Sequence, residues 1–173
     1  MRFSVLLLAC AIAFCTGCTD EPAESSVAVN SPPPPGALDL DTLRSATYGV
    51  LDSVYQSAMH VDSSRAYFKS EAAQDAWFRR WQTMLYALSD YLKQNGVTWN
   101  NELRIFSRVY FNQQGGIDHY LYSIKQTGPG YPGPALRDSL RMLLTSFTET
   151  YRMDSAIGGK VAQCGPVVLM PPQ

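Results

Sequence analysis

The chain has 173 residues, of which 46% are hydrophobic and 12% aromatic, and its formal net charge at pH 7 is −1. This composition is sufficient for one domain with a hydrophobic core. The sequence contains no basic cluster of the kind that binds phosphate backbones, so we expect no nucleic-acid partner.

The N-terminus predicts export from the cytoplasm. Arg2 supplies a positive charge, and residues 3–14 form an apolar run that is too short to span a bilayer as a mature helix. The small residues Thr16 and Gly17 then precede Cys18, after which the chain becomes polar at once. This pattern resembles the lipobox of bacterial lipoproteins, in which a cysteine after small residues is acylated and becomes the mature N-terminus.

The resemblance implies a signal peptide over residues 1–17 and lipid attachment, with palmitate-type chains, at Cys18. Cys15 departs from the aliphatic residue that is usual at that position. Two alternatives stay open: a second lipobox-like pattern ends at Cys10 but would leave half of the apolar run attached, and an ordinary leader would release a soluble secreted protein. Thr19 stands where an Asp would favour the inner membrane. The resemblance therefore implies the outer membrane, on its periplasmic or its surface-exposed side.

Residues 18–37 have no apolar period and contain the proline run 32–35, which predicts an extended tether between the lipid and the domain. A proline run can also be a ligand for aromatic grooves, but a stalk is the simpler interpretation beside a membrane anchor. Once the signal peptide with Cys10 and Cys15 is removed and Cys18 is acylated, Cys164 is the only thiol left, which excludes a disulfide within the chain. Residues 38–173 are expected to form a single α+β domain.

Two helices are predicted at the start of the domain. Residues 38–60 have apolar side chains at helical spacing, which predicts the first helix. Ser70 is suited to cap a second helix that ends near Gln94. Its apolar stripe predicts a core face made of Ala73, Trp77, Trp81, Met84, Leu85, Leu88, Tyr91 and Leu92.

A β-hairpin is predicted at the centre of the domain, with strands over residues 104–111 and 117–124 and a glycine turn over 112–116. If the turn residues are unpaired, Val109 lies opposite His119, although a bulge would swap the faces of one strand. Because strand side chains alternate between faces, one face then holds Phe106, Arg108, Tyr110, Asp118, Tyr120, Tyr122 and Ile124.

The last part of the chain predicts a rigid loop over residues 127–133, a third helix with Pro134 in its first turn, and a final strand. Gly165 and Pro166 are expected to interrupt that strand, which suits the edge of a sheet.

Four segments carry a resemblance: Asn112 to Ile117 at the turn, Leu136 and Leu140 on the helix, Gly159 to Val161, and Val168 to Pro171. Together with the order hairpin, helix, strand, they resemble the C-terminal domain of TonB-type energy transducers, which implies a small TonB-like sheet with helices packed on it. A lipid anchor here replaces the transmembrane helix of that family, and the tether is too short to cross a periplasm. We therefore expect the fold of that domain and not its activity.

The residues that could support catalysis are few. The chain has two histidines, and a nucleophile pair of Cys164 and His119 would need hydrogen-bond contact and a third, orienting group. Too few His and Cys residues occur at ligand spacing to predict a metal site, and no motif predicts a cofactor.

We therefore expect a lipid-anchored, non-catalytic module that binds or assembles another envelope protein. The alternatives are a small envelope enzyme that uses Cys164 and His119, and an accessory or immunity-type lipoprotein. Tyr and Arg are enriched at the energetic centres of interfaces. The candidate binding surface is thus the aromatic hairpin face, unless a helix covers it, and its residues are Phe106, Arg108, Tyr110, Tyr120 and Tyr122.

Overall fold

The computed structural model describes residues 31–43, 45–97, 102–124 and 133–169. Cys18, the predicted signal peptide and most of the predicted loop at 127–133 lie outside these residues. The elements confirm the predicted α+β class. They are β1 (Gly36–Asp39), α1 (Ser45–Val54), β2 (Gln56–Ser57), α2 (Glu71–Gln94), β3 (Leu103–Phe111), β4 (Ile117–Ile124), α3 (Pro134–Thr150) and β5 (Val161–Leu169).

The five strands form one mixed sheet in the order β1-β4-β3-β5-β2. The hairpin strand β3 is central and pairs antiparallel with both β4 and β5, whereas the edge strands β1 and β2 run parallel to their neighbours. The predicted hairpin is thus confirmed, and the final strand joins it directly.

Helices α2 and α3 cover one face of the sheet, which we call the helix face. The predicted cap of α2 is confirmed, because the Ser70 side chain accepts a hydrogen bond from the backbone N–H of Ala73 at 3.2 Å. The apolar stripe of α2 is buried in the main core, as predicted. Its buried members are Trp77, Trp81, Met84, Leu88 and Leu92, and α3 adds Leu140, Leu144 and Phe147.

Helix α1 lies on the opposite face, which we call the α1 face. Leu51 and Tyr55 pack there against Tyr110, Leu121 and Ala162 in a second, smaller core. With 10 residues, α1 is shorter than the roughly 12–15 that an isolated helix needs in water, so its stability depends on this packing.

The predicted helix over residues 38–60 is wrong at both ends. Its first residues belong to β1, which begins at Gly36, inside the segment predicted as tether, and pairs with β4. At the other end the backbone N–H of Ala58 bonds to the carbonyl of Ala162 at 2.8 Å, as part of the β2–β5 pairing. Both departures come from pairing with strands remote in sequence, which a local apolar period cannot reveal.

The predicted interruption of the final strand is also wrong, because β5 is continuous and pairs with β3 along its whole length. The carbonyl of Ala162 points away from β3, toward β2. Backbone groups alternate in direction along a strand, so those of Pro166, four residues after Ala162, also point away from β3. The N–H that Pro166 lacks is therefore not needed for the hydrogen bonds between β3 and β5. The expected sheet edge is right only in part: β2 is the edge strand and pairs with β5 at Val161 and Ala162, and the described part of β5 beyond Ala162 has no strand partner on that side.

Candidate functional site

A β-bulge at Asp118 determines which hairpin residues share a face. Phe111 pairs with Ile117, but Tyr110 pairs with His119, so Asp118 is an extra residue in β4. The Asp118 carboxylate is held in place by the side-chain amide of Asn112 at 2.9 Å and by the hydroxyl of Tyr55 at 2.7 Å. The bulge reverses the predicted facing of all residues that follow it in β4.

The five predicted binding residues therefore do not share a face. Val109 pairs with Tyr120 instead of His119, so Tyr120 and Tyr122 lie on the helix face and are 1% and 2% exposed. The Tyr120 hydroxyl lies 2.8 Å from the Ser107 hydroxyl, and burial raises the pKa of Tyr120 to about 12. The shared-face prediction is wrong for these two residues, which belong to the core.

Phe106, Arg108 and Tyr110 do lie together on the α1 face, as predicted. Beside α1 the sheet forms a cleft of about 510 Å³, which we call the α1 cleft. This volume is within the range of about 300–1,000 Å³ that is usual for ligand sites. Its lining residues are Leu40, Asp41, Tyr48, Asp52, Phe106, Arg108 and Ser123.

A fixed charge cluster forms one side of the α1 cleft. Arg108 donates to Oδ1 of Asp52 from Nε at 3.0 Å and from Nη2 at 2.5 Å, and the Tyr110 hydroxyl donates to the same oxygen at 2.8 Å. Tyr110 is fully buried, and this burial raises its pKa well above the ordinary value. The Arg108 side chain is therefore held in one conformation by Asp52 of α1 and by Tyr110 of the sheet.

Two aromatic side chains extend the cleft beyond this cluster. Tyr48 projects from α1 and is 37% exposed, and Phe106 lies half-buried on β3 between Ser123 of β4 and Pro166 of β5. On the wall formed by β4, the Ser123 hydroxyl donates to Asp41 at 2.8 Å. The cleft thus combines aromatic surface with charged groups whose positions are already fixed.

His119 lies under the other end of α1, where the rings of Tyr55 and Tyr110 meet it edge-on at 6.3 and 6.1 Å. It is 4% exposed, and within the described residues its Nδ1 has no hydrogen-bond partner. Burial and the nearby charge of Lys160 lower the pKa of His119, against the raising effects of Asp118 and of a hydrogen bond to the Pro34 carbonyl. The ring is therefore neutral near pH 7.

This lowered pKa predicts that the protein loses stability in mild acid. The unfolded chain binds a proton at His119 below its ordinary pKa of 6.5, while the folded state resists protonation. The contribution of His119 to the free energy of unfolding is fully present above pH 6.5. Below that pH it falls by up to about 1.4 kcal/mol per pH unit, until the pH reaches the pKa of His119 in the folded state. The measurement is the melting temperature between about pH 7.5 and 5.5, where His119→Gln should flatten the decline. Equal slopes in the two proteins would contradict the assignment.

The structure does not bring Cys164 and His119 into contact. Cys164 lies opposite Arg108 on β5, and His119 lies opposite Tyr110 on β4, with β3 between them. Because neighbouring strands are about 4.8 Å apart, the two backbones are separated by about 10 Å, with Tyr110 in the way. Cys164 is exposed and His119 is buried, so this pair lacks the hydrogen bond that nucleophilic catalysis needs.

Tyr48 and Asp52, on the α1 side of the cleft, are not among the residues that the sequence predicts for the site. In the predicted helix over residues 38–60, Asp52 is an ordinary polar position. The one available signal is Arg108, a half-buried charge between aromatic residues of β3 that needs a carboxylate partner.

Among residues 31–169 that the structure describes, no helix has the length and apolar character needed to cross a bilayer, and no group of His, Cys, Asp and Glu is arranged to hold a metal ion. No protein-family model, curated protein or solved structure matches the chain. The α1 cleft is therefore the candidate site on the strength of its own geometry.

Proposed function

We propose that this chain is a lipid-anchored envelope lipoprotein that acts as a non-catalytic binding or assembly module, and that it binds its partner in the α1 cleft. The observation that supports this function is the exposed aromatic surface of Tyr48 and Phe106 beside the fixed pair of Asp52 and Arg108. Aromatic and Arg side chains of this kind supply much of the energy of binding sites.

The anchor part of the proposal rests on the lipobox-like sequence at Cys18. Several acyl chains on one residue stabilise membrane attachment by about 0.8 kcal/mol for each buried CH₂ group. Thr19 after the cysteine supports an outer-membrane location. The hairpin–helix–strand order supports a TonB-like arrangement of the C-terminal half, and we propose no energy-transducing activity from it.

Replacing Cys18 by Ser is expected to abolish lipid attachment. A diacylglyceryl group cannot be attached to this position as a thioether without the thiol, so an unprocessed precursor should accumulate. The measurement is metabolic labelling with a fatty-acid analogue, with Cys164→Ser as the matched control that should label like the wild type. Full labelling of the Cys18→Ser protein would contradict the proposed anchor.

The binding function is tested by a pull-down: the full-length protein is immobilised in detergent, and the envelope material that it retains is recovered. A detergent-solubilised envelope fraction is passed over the protein, and the bound protein and sugar are both quantified. Replacing Tyr48 and Phe106 together by Ser should reduce recovery at least about tenfold, which corresponds to about 1.4 kcal/mol of binding free energy.

Tyr86→Ser is the matched control, because Tyr86 is a 72% exposed tyrosine on α2, outside the α1 cleft. It should leave recovery unchanged. The melting temperature of each variant is measured alongside, since both cleft side chains are partly exposed and their loss should leave the fold stable. Unchanged recovery by the double variant would contradict a binding role for the cleft.

A further inference from the structure

In the charge cluster of the α1 cleft, one acceptor atom and one donor group are not used by the hydrogen bonds within the cluster. Three hydrogen bonds from the described residues reach the Asp52 side chain, two from Arg108 and one from Tyr110, and all three end on Oδ1. Within the described residues, Oδ2 of Asp52 and Nη1 of Arg108 have no hydrogen-bond partner. The Asp52–Arg108 pair that lines the cleft therefore keeps one acceptor and one donor available, and a ligand that both donates and accepts would satisfy the two together.

The ion pair in the cleft disfavours an anionic ligand. Among the described residues that line the cleft, Arg108 has the one cationic side chain, and its guanidinium is already paired with Asp52. A phosphate or carboxylate would have to compete with the Asp52 carboxylate for this guanidinium, at close range to a like charge. The free donor and acceptor instead suit an uncharged polar group.

The floor of the cleft disfavours an extended peptide. Phe106 and Arg108 belong to β3, whose backbone is paired with β4 on one side and with β5 on the other. An added strand needs an unpaired sheet edge, and β3 offers none. A peptide lying across this face would leave its own N–H and C=O groups without partners from the backbone.

We propose that the α1 cleft binds an uncharged saccharide, such as a neutral segment of an envelope glycan. This inference rests on the proposed function and names its ligand class. A sugar hydroxyl is both a donor and an acceptor, so two neighbouring hydroxyls can donate to Asp52 Oδ2 and accept from Arg108 Nη1. The C–H faces of the sugar ring pack on the aromatic rings of Tyr48 and Phe106 by dispersion and weak C–H contacts.

The test uses periodate, which cleaves carbon–carbon bonds between neighbouring hydroxyls and so destroys the group that this site would recognise. The full-length protein is immobilised as above, and the solubilised envelope fraction is first treated with periodate, with a protease, or with neither. Periodate should reduce the bound sugar at least about tenfold, and protease digestion should leave it unchanged.

Asp52→Asn is the variant for the ligand contact, because it keeps the shape of the side chain and removes one acceptor. It should weaken sugar recovery, while Tyr86→Ser should not. Recovery that survives periodate but is lost after protease digestion would overturn the saccharide and leave the proposed binding function in place. Recovery that does not depend on Tyr48 and Phe106 would instead overturn the proposed function, and the saccharide with it.

Discussion

Replacing Trp77 by Ala should lower the free energy of unfolding by about 3–5 kcal/mol. Trp77 is 1% exposed, stacks on Phe68 with ring centroids 5.1 Å apart and meets Phe111 edge-on at 5.4 Å. Its indole N–H also donates to the side-chain carbonyl of Gln163 at 2.9 Å. The substitution removes this packing, leaves a cavity between α2 and the sheet, and leaves the Gln163 acceptor unpaired.

The measurement is urea unfolding of a chain that begins at Ser31 and so keeps β1 whole. Phe78→Ala is the matched control, because Phe78 is the next residue of α2, about 100° further around the helix, and is 46% exposed. It should change stability by less than about 0.5 kcal/mol. Similar losses of stability for the two variants would show that α2 is rotated about its axis and that Trp77 does not point toward the helix face of the sheet.

Replacing Leu51 by Ala should cost about 2–5 kcal/mol, a large loss for so short a helix. Leu51 is fully buried and is the one residue that reaches the second core among the α1 residues 47–54, whose side chains the structure describes. Gly49 further weakens α1 by roughly 0.5–1 kcal/mol relative to Ala, so little intrinsic stability remains to hold the helix in place. Loss of this contact should therefore detach α1, and Asp52 with it, from Arg108.

Two measurements follow this substitution. Urea unfolding gives the stability, with Val54→Ala, 46% exposed on the same helix, as a control that should lose less than about 0.5 kcal/mol. Hydrogen exchange gives the local effect, which should be faster in α1 than in α2. Unchanged exchange in α1 would show that the polar contacts of Asp52 hold the helix without Leu51.

Local patterns were sufficient to predict the hairpin, α2 and α3. Each of these elements is held together by contacts close in sequence: the Ser70 cap, the period of the tryptophan stripe, and the glycine turn between β3 and β4. The edge strands could not be predicted in this way. Both strands form by parallel pairing with the edge of a strand that is remote in sequence, β4 for β1 and β5 for β2. The chain around Leu38 and Gln56 has no strand pattern of its own.

The binding residues were predicted in part for a similar reason. Phe106, Arg108 and Tyr110 lie on one strand, so simple alternation placed them on one face. Tyr120 and Tyr122 were misplaced by a single extra residue, Asp118, whose position depends on hydrogen bonds to two other parts of the chain. The cleft itself depends on where α1 docks, which no local pattern determines.

Photo-crosslinking in intact cells tests whether the α1 cleft is the binding surface of this chain. A photoreactive amino acid is placed at Tyr48, at Phe106 or, as a control, at Tyr86. If the partner binds in the α1 cleft, positions 48 and 106 should form covalent adducts with envelope material and position 86 should form none. Adducts from position 86 alone would show that the binding surface lies on the exposed side of α2 and not in the α1 cleft.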